Sequence, residues 1–342
     1  MVGETIDTTL ITSQARESGR ARITRAIGSF DVLIVAVIVG AVVSFAQGNI
    51  QFLAGTIAIY ALFATATNML VGWLGVMTFG AAAYFGAGAY FVAILRDIEM
   101  SPLLLVLLAG VVGAVLAAVF SVLTVRINGI ALTMLTLVFG QILYQLLFSI
   151  RELGGDDGIA PVPSGQLFGL RLARPEHFWI YAIIIVAVCL FLIRVIYRSS
   201  FGRSIIAIHD DPLRADALGL PIKATRIKVF IIVGFFSAIA GALLTQQQGI
   251  ATSESLNWML SGEVLIMCLI GGSASFWGPT IGAIVFLLLD TQLFKSISYS
   301  SLFIGIILLA VVMVFRAGIV GLPGQILGWI RASRDERTEA QR

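Results

Sequence analysis

Charge is scarce in this chain. Asp, Glu, Lys and Arg make up only 12% of its 342 residues, against about 25% in a soluble domain. Two stretches, 32–95 and 102–125, hold none at all, which excludes an ordinary water-soluble fold. Histidine is rarer still: His177 and His209 are the only two, and they lie too far apart in sequence to suggest a pair. The two cysteines, Cys189 and Cys268, both sit inside apolar segments without metal-ligand spacing, so neither a metal centre nor a disulfide is expected. No GxxxxGK[ST], HExxH or GxSxG motif occurs. Ser121, Ser273 and Ser275 lie near the ends of apolar runs with no base beside them, so nothing reads as an active site. Residues 1–29 are polar and Arg-bearing, without the apolar core or small-residue cleavage site of a signal peptide, and read as a cytoplasmic tail.

Apolar residues fill the chain instead, at 58% of the total and a mean hydropathy of +0.99. Spanning a bilayer takes about 20 apolar residues per helix. Runs bounded by charge, Gly and Pro predict helices near 30–48, 51–71, 77–95, 102–124, 130–150, 177–197, 227–248, 260–272, 279–294 and 300–316. The expected fold class is therefore all-α, a polytopic bundle of about ten membrane helices. The run 260–272 is short enough to be a broken or half-helix. With both termini inside, 17 Lys and Arg face the cytoplasm and five face outward, a bias of the expected sign. The same rule explains the +3 net charge and the pI near 9.0 without nucleic acid. The domain plan that follows is a tail at 1–29, a membrane domain over 30–329 and a second tail at 330–342. Its two notable loops are a cytoplasmic one at 198–228 and an outer one at 151–176.

Many of the 35 glycines fall within or beside the runs. Gly110, Gly113, Gly234 and Gly241 read as close packing contacts between helices. Two clusters differ, GWLGVMTFGAAAYFGAGAY at 72–90 and GGSASFWGPTIGA at 271–283. Each places an aromatic residue, a Gly and a Gly-Ala pair at the entry to a span. Backbone that leaves the helix at membrane depth must line a cavity or be buried in protein. One reading makes these clusters part of a solute path, with Gly72, Gly75, Thr78, Phe79, Gly80, Tyr84, Gly88, Gln141, Gly271 and Gly272 as candidates; the other makes them tight turns. Glu263 and Asp290 are the only carboxylates inside spans, both expected near the outer ends. Asn68 and Gln141 fit interhelical hydrogen bonding. The outer sequence ELGGDDGIAPVP lacks the ligand count of a calcium loop and reads as a structured external cap.

Between the apolar blocks lies RSSFGRSIIAIHDDPLRADALGLPIKATRIK, at 198–228. Asp211 as N-cap and Pro212 in the first helical position start a helix there, and Gly219 with Pro221 ends it. It would have only about two turns and would be marginal alone in water, so packing must hold it. Ile205, Ile206 and Ile208 suit the membrane-facing side, and Ala207, Ala215 and Ala217 leave room for a partner. A docking surface and a plain solvated loop are the two readings.

Five segments in order resemble one family. GRSIIAIHDDPLRADALGLPIKATRIKVFIIVGFFSAIAGAL, NMLVGWLGVMTFGAAAYFGAGAY, RINGIALTMLTLVFGQILY, LGGDDGI and LIGGSASFWGPTIGA are similar to branched-chain amino acid ABC transporter permeases of the LivM type. The resemblance covers all but the tails at roughly 1–28 and 330–342. It implies an inner-membrane importer subunit with several partners: a second homologous permease, two ATP-binding subunits carrying ATP-Mg, and an external solute-binding protein. No nucleic acid and no cofactor of its own are implied. It also implies an ATPase-coupling loop built from Gly202, Arg203, Ala207, His209, Asp210, Asp211, Pro212, Ala215, Ala217 and Gly219. The family's Arg-Asp pair stands here as His209-Asp210, and its early serine as Thr78 after Val76 and Met77. Related permeases carry other amino acids, amides or urea. A stand-alone secondary transporter or channel is the competing class, for which a central charged residue is expected.

Overall fold

A computed structural model describes residues 31–44, 48–98, 100–155, 157–167, 170–172 and 174–293. The expected tenth span at 300–316 and both expected tails lie outside the described residues. The helices are α1 (Asp31–Ser44), α2 (Gly48–Asn68), α3 (Ala81–Ile94), α4 (Pro102–Thr124), α5 (Ile130–Ser149), α6 (Pro175–Arg198), α7 (Ser200–Asp210), α8 (Pro212–Ala217), α9 (Ile222–Gln248), α10 (Trp258–Gly271) and α11 (Gly278–Leu293). An antiparallel pair, β1 (Gln166–Leu167) and β2 (Leu170–Arg171), is the only sheet among the described residues. The expected membrane bundle is present, with this small hairpin added. Among the described residues, five segments are long and apolar enough to cross a bilayer: Gly48–Trp73, Pro102–Thr124, Ile130–Ser149, Pro175–Arg198 and Ile222–Gln248.

Helix α9 is the centre of the bundle, packing against α4, α3 and α2. Glycine makes this possible. A Cβ on Gly234 would fall 2.5 Å from the Gly113 carbonyl oxygen, and one on Gly241 would fall 1.9 Å from that of Phe85. Within a bilayer such backbone-to-backbone approach supplies the van der Waals contact that the hydrophobic effect supplies in water. The packing role expected for Gly110, Gly113, Gly234 and Gly241 is what the structure shows. Around this core, α2 packs on α6, α1 on α6, and α10 on α11.

The helix ends follow the sequence chemistry. Ser101 Oγ accepts from Leu104 N at 3.2 Å ahead of Pro102, and Asn257 Oδ1 accepts from Met259 N at 3.1 Å. Gly249, at φ +72°, ends α9 in the left-handed conformation that a side chain would strain. The segment expected to form a cap is structured: Ile159 pairs with Ala251, and Val162 N donates to the Gly249 carbonyl at 2.8 Å.

One span departs from expectation and one short span agrees with it. The run 77–95 becomes helical only at Ala81, so α3 has 14 residues; α10, expected to be short, also has 14. Each rises roughly 21 Å, short of the ~30 Å hydrocarbon core. Upstream, α2 ends in a π-helical turn, Met69–Trp73, followed by Gly75 at φ +71°. The Thr78 hydroxyl then accepts the Gly80 N–H at 3.1 Å, a local bond that replaces the helical one. That is why the helix starts late.

Candidate functional site

The two short helices begin beside each other. Non-helical residues 74–80 lead into α3, and 249–257, with a 3-10 turn at Ser253–Leu256, lead into α10. Ala82 N donates to Ser261 Oγ at 2.8 Å, and the Phe79 and Trp258 rings meet edge-on with centroids 6.3 Å apart. Helix α5 holds the other side. Thr136 Oγ1 accepts from Phe79 N at 3.2 Å, and Thr133 Oγ1 donates to the Met77 carbonyl at 3.1 Å. Irregular backbone at membrane depth must find its partners in protein. Three hydroxyls from α5 and α10 provide them, and none stood out in the sequence. Their signal was present only as Ser and Thr at positions that face neighbouring helices.

Beside this junction the protein leaves a face open. Met77, Met134, Gln141, Gln145, Trp258 and Met259 are all exposed on the isolated chain. Gln141 therefore does not bond between the chain's own helices as the sequence suggested; it looks outward from the middle of α5. An amide there calls for water or another protein rather than lipid.

The candidate path residues split into groups. Thr78, Phe79 and Gly80 form the junction. Tyr84 lies in the core against Phe120, with ring centroids 5.9 Å apart. Gly88 serves packing, because a Cβ there would fall 2.1 Å from the Ala238 carbonyl oxygen. Gly72 and Gly271 also permit close approach, to the Ser273 and Gly278 carbonyl oxygens, and Gly272 turns the chain at φ +103°. Asn68 Nδ2 donates to the Ser273 carbonyl at 2.9 Å, so the bond runs from α2 to the turn between α10 and α11 rather than between two helices as the sequence suggested.

The charged loop folds as two helices. Ser199 Oγ caps α7 by accepting from Gly202 N at 3.2 Å, and Asp211 Oδ1 caps α8 by accepting from Arg214 N at 3.0 Å. Gly219 ends α8 at φ +75°, as its position predicted. Ile205 and Ile208 are buried and Ile206 is half-buried, so α7 lies on the bundle with its isoleucines inward. Gly202 is buried; Arg203, Asp210, Pro212 and Ala217 are exposed, and Ala207 is half-buried. Ala215 is only 1% exposed, so it packs against its own chain and leaves no room there for a partner. Leu213 and Leu218 stand out instead, at 85% and 73% exposure.

One contact joins the loop to the junction. A Cβ on Gly75 would fall 2.6 Å from His209 Cδ2, so the imidazole lies against bare backbone five residues before Gly80. Alongside sits a group that the sequence reading missed. Arg194 Nη2 bonds Asp31 Oδ2 at 2.8 Å, and its guanidinium carbon lies 4.4 Å from the Phe276 ring centroid. Phe276 and Tyr197 flank Trp73, with Tyr197 at a centroid distance of 4.6 Å from it. This cluster ties α1, α6, the π turn and the 272–277 turn together. The aromatic in each glycine cluster was its only signal.

Both cysteines are buried and free. Among the described residues no group of His, Cys, Asp and Glu is arranged to hold a metal. Glu263 lines a cavity of about 390 Å³ with Tyr60 and Glu254, while Asp290 is exposed.

Residues 49–312 match the family model for the branched-chain amino acid transport system permease component. The chain is 27% identical over 311 residues to the high-affinity branched-chain amino acid transport system permease protein LivM of Salmonella typhimurium, covering 83% of this chain and 72% of that protein. It is 27% identical over 284 residues to LivM of Escherichia coli, covering 75% and 66%. A more distant relative is the galactose/methyl galactoside import permease protein MglC of Escherichia coli, 25% identical over 209 residues and covering 59% and 60%. The chain thus spans about two thirds to three quarters of the two LivM proteins. No solved structure matches it.

Proposed function

Because this chain belongs to the family of branched-chain amino acid transport system permease components, we propose that it is the multi-pass inner-membrane permease subunit of an ATP-driven importer for branched-chain or related amino acids. The closer and longer match to LivM than to MglC supports amino acids over sugars. ATP-binding subunits and an external solute-binding protein work with it. In finer detail, two ATP-binding subunits carry the ATP-Mg, and a second homologous permease covers the open face around Gln141. The path then runs between the two permeases, past Met77, Phe79 and Trp258.

The observation that carries this reading is the contact between His209 and Gly75. On this reading α7 and α8 lie on the cytoplasmic side, with Leu213, Ala217 and Leu218 presented to the ATPase. Closure of the ATP-binding subunits pushes α7, and His209 passes the displacement to the backbone ahead of Thr78 and Phe79. ATP shifts the permease only in so far as the ATPase grips one arrangement of this loop more tightly than the other. Chemistry stays in the partners, and this chain supplies the lever and the gate.

Reconstitution in proteoliposomes tests the reading. With both permeases, the ATP-binding subunits and the binding protein, uptake of a branched-chain amino acid should require internal or external ATP on the ATPase side only. Uptake by this chain alone, driven by an ion gradient, would point to a secondary transporter instead.

A further inference from the structure

We propose that the end of the bundle opposite the charged loop holds a docking site for a small aliphatic α-amino acid. It lies between the end of α3, the start of α4 and residues 162–166. The proposal rests on the importer reading above and adds a place on this chain where the solute binds. The cavity measures about 640 Å³, within the roughly 300–1,000 Å³ of small-molecule sites.

Among the described residues, Arg96 is the only ionisable one in its lining. Its Nη1 donates to the Ala160 carbonyl at 3.3 Å and its Nε lies 3.8 Å from Asp97 Oδ1. A guanidinium has five N–H donors in a planar fork, so the Nη2 edge is left for a carboxylate. The start of α4, at Ser101 and Pro102, forms part of the same wall, and the positive end of its dipole favours an anion there.

A second observation points to a donor on the ligand. Gln246 lines this cavity and is 1% exposed. Its Nε2 donates to the Pro102 carbonyl at 3.2 Å, while its Oε1 has no partner among the described residues. A buried acceptor left unpaired is destabilising, and an ammonium group would satisfy it. Ser164 Oγ donates to the Gln246 backbone carbonyl at 2.8 Å, fixing the wall at this point. Val92, Leu105 and Val162 supply an apolar surface. Carboxylate, ammonium and branched alkyl chain are the three parts of a zwitterionic aliphatic amino acid. A neutral polyol would offer no carboxylate to the Nη2 edge and no ammonium to Gln246 Oε1.

The test uses the intact complex in nanodiscs without the solute-binding protein, and radiolabelled L-leucine as the probe. Saturable binding is expected, weakened about tenfold or more by Arg96→Gln, partly restored by Arg96→Lys, and weakened by Gln246→Leu. Competition should need both charged groups: leucine should displace the label far better than 4-methylpentanoate or isoamylamine. Arg96 lies at the surface, so Arg96→Gln should keep the parent melting temperature and remain informative even if Gln246→Leu does not fold. No saturable binding in the parent, or equal binding in Arg96→Gln, overturns the proposal and leaves the cavity to water. Unchanged ATP-driven leucine uptake in such a case keeps the importer reading; loss of all ATP-driven uptake by the parent complex would remove that reading itself.

Discussion

Removing the hydroxyls that hold the junction should loosen the gate before it unfolds the bundle. Thr136→Val keeps shape but takes away the acceptor of the Phe79 N–H, bonded at 3.2 Å. Phe79 is half-buried, so water can replace part of the loss, and the cost should be about 1–2 kcal/mol. Ser261→Ala removes the acceptor of the Ala82 N–H, bonded at 2.8 Å between fully buried groups. That N–H lies in the first turn of α3, where no backbone carbonyl is available to it. Its cost should be about 2–3 kcal/mol. Both hydroxyls grip one short segment, so the double variant should depart from additivity. Thermal unfolding in nanodiscs reads the stability, and ATP-driven uptake reads the gate. The expected result is a folded double variant with a lowered midpoint, normal ATP hydrolysis and uptake reduced several-fold. A double variant matching the parent in both midpoint and uptake would refute the reasoning.

Three further outcomes follow from the same geometry. Ala217→Trp, at an exposed position on α8, should weaken co-purification of the ATP-binding subunits without changing the melting temperature, whereas Ala215→Trp, at a buried one, should lower it. Gly75→Val places a branched side chain at φ +71° against His209; the backbone alone costs about 1–2 kcal/mol, and His209→Ala in the same chain should recover part of the lost uptake. Arg194→Met leaves the half-exposed Asp31 carboxylate without its 2.8 Å partner, for a melting loss equivalent to about 1–3 kcal/mol after allowing for solvent at Asp31; adding Asp31→Asn should restore much of it.

Much of this architecture is legible in the chain. Long uncharged runs mark α2, α4, α5, α6 and α9, because a bilayer tolerates few alternatives to a long apolar helix. The caps of α8 are equally plain, since Asp211-Pro212 and Gly219 act through their immediate neighbours. What stays hidden depends on residues distant in sequence. The delayed start of α3 comes from Thr78 turning back on Gly80 and from Thr136 and Ser261, 57 and 179 residues from their partners. An apolar composition reads the same on either side of such a break. The exposure of Ala215 was unreadable for another reason: a six-residue helix has too few turns for its pattern to show which face the bundle covers. Arg194 reads as one more cytoplasmic-side charge until Asp31 and Phe276 are folded against it.

Chemical accessibility at Met77 tests the central claim most directly. Met77 is exposed in the broken segment, and the native Cys189 and Cys268 are buried, so Met77→Cys should report with little background. In the full complex, binding of a non-hydrolysable ATP analogue should change its labelling rate by a membrane-impermeant thiol reagent. Adding Ala217→Trp should abolish that change while the protein stays folded. A labelling rate indifferent to nucleotide, or a response that survives Ala217→Trp, would contradict the account of α7 and α8 as the lever on this gate.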